Sequence, residues 1–360
     1  MEAQKYVWEG AIPLQIHLHE SDVTTHPPPP PALILAPRLG YLPLLAPLIK
    51  PHFSATLPPG VDTIWFEYKG LPLKWYVPTG VLFDLLCAEP ERPWNLTVHF
   101  RGYPGNLLTP CEGEDSVKWS FINSLKEAAY IINGNCKNVM NMSQSDQVEL
   151  WDFVMNGNLE GYLRVSSKLK LGTVEDEYAG LYSSKSRQGS GEKDLAGQVK
   201  TALSGRIPVR LYVRVFSEDI DDLKDVPQID SWDQIFYINR PVEIPGEGKY
   251  LTLLEAVKSI LPEYFSAIIN KESARVCIED GQKDSPEDAS PNRSAEDQGE
   301  NTPEHVESCT SSNAVIKLLR IQGIEPKFEI PFSWVVNNLM NPEYFLHICV
   351  HIKVSQVNTI

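Results

Sequence analysis

The chain has 360 residues, 42% hydrophobic and 22% charged, enough for two or three soluble globular domains. Its 32 Lys and Arg against 47 Asp and Glu leave a formal charge of −15. That balance excludes a general nucleic-acid binder, which needs a basic surface to displace counterions, and disfavours general attachment to anionic membranes.

Ile12 to His19 alternates as a strand, with Leu14, Ile16 and Leu18 on one face and Gln15, His17 and His19 on the other. After a Pro-rich loop, Pro27 to Pro31, comes a second short apolar run, Ala32 to Ala36. Tyr41 to Phe53 sets Leu44, Leu45, Leu48 and Ile49 at helical spacing, but Pro43 and Pro47 predict a short or irregular helix. Ile64 to Lys69 and Leu71 to Tyr76 are predicted strands around Gly70, which supplies the positive φ of a tight turn. Pro78 opens a helix through Leu82, Phe83, Leu85 and Leu86, and Trp94 to Arg101 closes the unit as a strand. Strand, strand, helix, strand, strand, short helix, strand is the order of a ubiquitin-like β-grasp.

Between residues 114 and 170 the pattern becomes helical. Glu114 to Ile132 places Val117, Phe121, Leu125, Ala128 and Ile132 on one stripe, with Asp115 or Ser116 as N-cap. Ser143 and Asp146 resemble a capping box opening a second helix, with Val148, Trp151, Val154, Met155 and Leu159 inward.

The last third repeats the first. Ile207 to Phe216 and Gln234 to Asn239 read as strands, and Leu251 to Leu261 as a helix. Ala314 to Gln322 and Lys327 to Ile330 read as a strand pair, Phe332 to Leu339 as a short helix, and Tyr344 to Val354 as the closing strand. Gly70, Lys74, Pro78 and Leu86 are spaced like Gly323, Lys327, Pro331 and Leu339, and each unit begins with Ile-Pro, at Ile12-Pro13 and Ile207-Pro208. Agreement in spacing, turn chemistry and order indicates a duplicated domain.

The expected organisation is α+β: two ubiquitin-like β-grasp domains flanking a helix-rich domain. An N-terminal helix plus the first ubiquitin-like domain takes residues 1–104, the helix-rich domain 112–170, and a flexible linker 171–205. The second ubiquitin-like domain takes 206–354. Thr173 to Ser204 and Lys271 to Ser312 are polar and poor in apolar residues, and read as disordered. Lys271 to Ser308 carries a net −7 and Ser217 to Asp230 a net −5, so most of the negative charge belongs to two surface segments.

Little here suggests catalysis. Six Cys stand singly with no CxxC pair, the pattern of reduced thiols in a cytosolic protein. No apolar run approaches the roughly 20 residues of a membrane span, and the first ten residues carry no signal peptide. His17 and His19 sit at metal-ligand spacing without a third ligand motif, so no metal and no cofactor is expected. Cys87 at a helix end and His99 on the next strand permit a thiol–imidazole pair, but no further catalytic signature accompanies them. Trp65, Phe66, Trp75, Tyr76 and Trp94 are expected mostly to pack in the core. No Walker loop, GxSxG, HExxH or dinucleotide fingerprint occurs. A binding or conjugation scaffold is the reading that remains.

Particular motifs add to this. Val7-Trp8-Glu9-Gly10, Ile64-Trp65-Phe66-Glu67-Tyr68-Lys69-Gly70, Pro72-Leu73-Lys74-Trp75 and Leu82-Phe83-Asp84-Leu85-Leu86 lie in the first unit. Pro93-Trp94-Asn95-Leu96-Thr97-Val98-His99-Phe100, Lys126-Glu127-Ala128, Leu150-Trp151, Gly323-Ile324-Glu325-Pro326 and Phe345-Leu346-His347-Ile348 follow. Together they resemble the autophagy protein 5 family, essentially end to end. The resemblance implies a chain that accepts the C-terminal Gly of the ubiquitin-like autophagy protein 12 on one Lys, matched here by Lys126. It implies that the conjugate, with the coiled-coil autophagy protein 16 docked by a helix in an inter-domain groove, acts as a ligase-like scaffold. That scaffold would promote attachment of autophagy protein 8 to phosphatidylethanolamine and so autophagosome formation. Autophagy proteins 10 and 3 are the implied conjugating enzymes. The implied location is cytoplasmic, transiently peripheral to forming autophagosome membranes, and Lys74 and Trp75 are candidates for a surface touching the modifier. A non-covalent ubiquitin-like adaptor, or a thiol enzyme using Cys87 and His99, are the alternatives.

Read from its helix alone, Lys126 is an ordinary solvated lysine whose neighbours Ile122 and Ala129 border the apolar stripe. Glu127, adjacent in the helix, does not face it.

Overall fold

The structure, a computed structural model, describes residues 2–57, 60, 63–171, 205–217, 219–220, 222–244, 250–265 and 314–354. The stretches read as disordered, 173–204 and 271–312, lie outside these.

The first unit begins with helix α1 (Glu2–Trp8), then β1 (Ala11–Leu18) and β2 (Ala32–Pro37). Pro43 and Pro47 break the predicted helix as their missing N–H groups require: a 3-10 turn, Leu42–Leu45, precedes α2 (Ala46–Phe53). Then come β3 (Trp65–Tyr68), β4 (Leu71–Pro72), α3 (Thr79–Leu86) and β5 (Trp94–His99). In the middle unit are α4 (Glu114–Asn133), α5 (Lys137–Met140), α6 (Gln144–Met155) and α7 (Leu159–Ser166). The last unit has β6 (Arg206–Ser217), β7 (Ile235–Glu243), α8 (Leu253–Ile260), β8 (Ala314–Arg320), α9 (Phe332–Leu339) and β9 (Leu346–Val354).

The two sheets have one topology. Their orders are β2-β1-β5-β3-β4 and β7-β6-β9-β8, with β1 parallel to β5 and β6 parallel to β9. The repeat extends to the turns. Tyr68 pairs with Leu71 around Lys69 and Gly70 (φ 50° and 89°), and Ile321 pairs with Ile324 around Gln322 and Gly323 (φ 54° and 76°). Two successive positive φ angles make the type I′ turn whose twist suits a hairpin.

Several predicted boundaries move. Of the predicted 71–76 strand, Leu71–Pro72 pairs as β4 and Leu73 N–H still reaches the Phe66 carbonyl at 2.8 Å; the chain then turns at Lys74 to Val77. Lys327 to Ile330 is not a strand. Its Phe328 and Ile330 carbonyls instead accept from the Leu254 and Leu253 N–H groups, which α8 leaves unpaired in its first turn. Pro78 is the N-cap of α3 rather than its first residue. Helix α4 starts behind Gly113 (φ 88°) with no side-chain cap, while the Ser116 hydroxyl accepts from Glu112 N–H. Ser143 caps α6 as expected, but Val148 faces solvent and Leu150 takes the inward place.

Three cores result, and they are joined. Helix α1 divides its apolar residues: Val7 enters the last unit's core and Trp8 the helical one, where its ring lies 4.7 Å from that of Tyr162. All eight residues of α3 are buried, because the helix is covered on both sides. Leu82, Leu85 and Leu86 face the first core, which runs on into Tyr212, Ile229, Ile235 and Cys349 of the last unit. Alternation along β9 sends Leu346, Ile348, Val350 and Ile352 into its own core and Cys349 toward α3, where the thiol meets the Val81 carbonyl.

Polar groups complete this contact. Asp84 pairs with Arg38 and accepts at 2.7 Å from Gly323 N–H; burial pushes its carboxyl up, against the opposing pull of Arg38. Arg320 donates at 2.6 and 2.7 Å to the carbonyls of Cys87 and Ala88, the free acceptors at the end of α3.

Two outcomes follow. A Cβ at Gly323 would stand 2.7 Å from the Arg38 guanidinium carbon, on a backbone at φ 76°. Gly323→Ala should therefore lower stability by about 1–3 kcal/mol in urea titration, whereas the open Gly105 should tolerate Ala. His351 is fully buried with both ring nitrogens unpartnered, and burial, then Arg214 and Arg320, hold its pKa down at about 3. The unfolded chain takes up a proton at His351 below about pH 6.5 and the folded chain does not. Stability should fall as pH drops from there toward 3, and His351→Leu should flatten that part of the melting-temperature curve.

Candidate functional site

Where the three units meet lies a cavity of about 660 Å³. Its first wall is the bend after β4, Lys74 to Val77. Its second is a stripe of α4, Ser116, Ser120, Asn123 and Glu127, spaced by three and four beside the buried Val117, Phe121, Leu125 line. Its third comes from the last unit: Arg210, Tyr212, Trp232, Ile235 and Tyr237.

Six of the lining residues are aromatic, and two of the tryptophans are fixed by hydrogen bonds. Trp75 donates from Nε1 to the Thr109 carbonyl at 2.8 Å and meets Tyr76 edge-on at 5.5 Å. Trp232 donates to the Pro72 carbonyl at 2.8 Å, and the Lys74 ammonium lies 4.5 Å from its ring. Burial lowers the Lys74 pKa, with Asp233 opposing. A cation over an indole face is an attractive contact that strengthens as water is excluded.

Lys126 stands half-buried on α4, its Nζ 5.9 Å from the ring of Trp119, which lines the cavity and is itself 64% exposed. The neighbours Ile122, Leu125 and Ala129 are buried, as the helical stripe required. The amine therefore sits at the edge of an apolar face beside an open aromatic surface. Lys74 and Trp75 thus line the hollow, whereas Lys126 does not line it and is connected to it only through Trp119.

The expected core role of the aromatics holds for Phe66 and Trp94, and in part for Trp75, which packs half-buried against the helical core. Trp75 and Tyr76 line the cavity, and Trp65 stacks on His99 at 3.7 Å. Trp119 carried a usable signal, a large aromatic at a polar position of an amphipathic helix. Trp232 and Arg210 carried none, because their roles depend on residues far away in sequence.

The other candidate groups stay apart. Cys87 is 3% exposed, its thiol lies 3.5 Å from the Tyr68 hydroxyl, and burial pushes its pKa up to about 12. His99 pairs at 3.1 Å with Glu67 and stacks on His19 at 4.2 Å; burial, then His19, lower its pKa. A thiol so raised offers no thiolate, and its hydrogen-bond partner is a phenol, not an imidazole. His17 is exposed and contacts Gln15, while His19 caps the 3-10 turn after β1. Among the described residues no three His, Cys, Asp or Glu side chains gather to hold a metal.

Comparison with known proteins bears on this arrangement as a whole. The family models described as Autophagy protein ATG5, UblA domain, alpha-helical bundle region and UblB domain match residues 7–100, 114–172 and 206–350. Autophagy protein 5 of Arabidopsis thaliana is 64% identical over 359 residues, covering 99% of this chain and 99% of that protein. Autophagy protein 5 of Oryza sativa subsp. indica is 55% identical over 367 residues, covering 98% of this chain and 94% of that protein. The crystal structure of Kluyveromyces marxianus Atg5 is similar in fold, with a TM-score of 0.56 and 19% identity over 97% of this chain and 99% of that one.

The thiol chemistry is directly measurable. At pH 8, alkylation of the native protein followed by peptide mass spectrometry should label the half-exposed Cys111 and Cys136 well before Cys87 or Cys349.

Proposed function

The chain belongs to the autophagy protein 5 family, and from that premise we propose that Lys126 is the amine through which it receives autophagy protein 12. Its function is that of the family. The conjugate is a scaffold with ligase-like action that promotes the attachment of autophagy protein 8 to phosphatidylethanolamine in autophagosome formation, and the chain is not an enzyme by itself.

The observation that supports the Lys126 assignment is its position: a half-buried amine on α4 within 5.9 Å of the ring of Trp119, an exposed residue that itself lines the hollow. The reaction asks little else of this chain. The neutral Lys126 nitrogen attacks the thioester carbonyl of the charged modifier, the new C–N bond replaces the C–S bond, and the enzyme's thiolate leaves. The nitrogen gives its surplus proton to water. What the acceptor supplies is access and orientation, and a lysine on a firmly packed helix supplies both.

Lys74 and Trp75, on the wall of the hollow that the first unit supplies, are the proposed non-covalent contacts for the modifier once it is attached. Autophagy protein 10 would deliver the modifier and autophagy protein 3 would be recruited by the conjugate. Autophagy protein 16 would dock its helix in a groove between the units and bring the complex to the membrane periphery. Among the described residues no helix is long and apolar enough to cross a membrane. The proposed units remain 1–104, 112–170 and 206–354, with 171–205 as linker.

Mass spectrometry of the endogenous protein tests the central assignment. A branched peptide carrying the modifier's C-terminal glycine is expected at Lys126, and Lys126→Arg should abolish the higher-mass product. Full yield from that variant would overturn the assignment, and an unbranched Lys126 in active complexes would favour a purely non-covalent adaptor.

A further inference from the structure

The residue after the proposed acceptor is gripped from another domain. Glu127 could have turned its carboxylate to solvent, as an exposed helix acid usually does. Instead both of its oxygens are engaged by the last unit. Arg210 Nη2 donates to Oε2 at 2.9 Å, and Asn239 Nδ2 donates to Oε1 at 2.7 Å. The same Arg210 nitrogen reaches Ser124 Oγ at 3.1 Å, one turn earlier on α4.

Arg210 and Asn239 are direct partners across β6 and β7, so the grip comes from a single rung of the second sheet. The arginine has little freedom to swing: its side chain is 14% exposed, and its guanidinium carbon lies 3.8 Å from the centre of the Phe345 ring. Two rigid strands thus hold one carboxylate by both oxygens.

Stability alone is a weak reason for this arrangement. Glu127 is 45% exposed, and ion pairs with an exposed partner contribute little. Its geometric consequence is larger. Successive residues on a helix point about 100° apart, so fixing Glu127 against the second sheet fixes the direction in which Lys126 leaves α4. Helix α4 is anchored elsewhere by its buried stripe and, at its first residue, by Trp151 Nε1 donating to Glu114 at 2.8 Å; the Glu127 grip adds a restraint one residue from the amine.

We propose that Arg210 and Asn239, acting through Glu127, are positioning residues for the acceptor lysine, so that the second ubiquitin-like domain orients an amine carried by the helical domain. The inference rests on the reading of Lys126 as acceptor. It gives the last unit a part in receiving the modifier without touching it.

The test uses the full chain with purified modifier, activating enzyme and thioester-charged conjugating enzyme, in single turnover. Glu127→Gln and Asn239→Ala alter half-exposed side chains and should fold; Arg210→Ala removes a buried charge and serves as a third variant. Each should slow isopeptide formation at saturating charged enzyme by about ten- to a hundredfold, with half-saturation unchanged within about twofold. The Glu127→Gln, Asn239→Ala double variant should be no slower than Glu127→Gln alone, since both changes cut the same grip. The rate–pH profile should keep its shape. Glu127→Gln reacting at the parent rate, a loss confined to half-saturation, or disappearance of a limb of the pH profile (which would make Glu127 a proton acceptor) would each overturn the proposal. Lys126→Arg run alongside separates the two readings: continued product formation there removes the acceptor assignment itself, whatever the Glu127 variants do.

Discussion

Helix α3 is buried along its whole length because two sheets claim it. One side completes the core of the first ubiquitin-like unit, and the other meets the outer face of the second sheet, where Cys349 lies against the Val81 carbonyl. A helix in that position cannot carry an unpaired polar group. Asp84 is accordingly answered by Arg38 from its own unit and by the Gly323 N–H from the other, and the carbonyls beyond the helix end are answered by Arg320. Gly323 allows the approach twice over, through its positive φ and through the absence of a Cβ that would strike Arg38.

Charged groups buried between units contribute less to stability than apolar packing of the same volume, but they permit few geometries. That restriction matters for the hollow on the other flank. Its walls belong to three units, so its shape persists only while the units keep one orientation, and the α3 contact holds the first against the third. Helix α1 adds a second tie by placing Val7 in one core and Trp8 in another. The Glu127 grip then locks α4 to the same sheet. A conjugation scaffold has no chemistry of its own to perfect; what it offers is a fixed spatial relation between an amine and the surfaces around it.

Duplication explains why one fold serves for both ends. The two sheets share strand order and type I′ turn geometry, yet the turns have been put to different uses. Lys69 and Gly70 close a surface hairpin, and the Lys69 carbonyl accepts from Gln228 of the last unit. Gln322 and Gly323 press against α3. The fourth strand has diverged too. In the first unit it is short, ending where the chain bends after Leu73, and in the second the equivalent chain caps α8 instead of pairing.

The strand-and-helix order, the duplication and the helical middle were legible because each rests on local physics: a period of two or of 3.6, a proline without an N–H, a glycine where φ must be positive. The charge of −15 was legible in the same way, as a property of two polar segments more than of the packed units. Lys126 stood out through motif resemblance alone, since its helix positions carried nothing beyond those of a solvated lysine. The gathering of Lys74, Trp75, Trp119, Trp232 and Arg210 around one hollow, and the capture of Glu127 by a rung of the second sheet, were decided only by tertiary structure. Their spacing along the chain has no period to read, because contacts between units depend on which faces dock, and no short stretch of sequence encodes that choice.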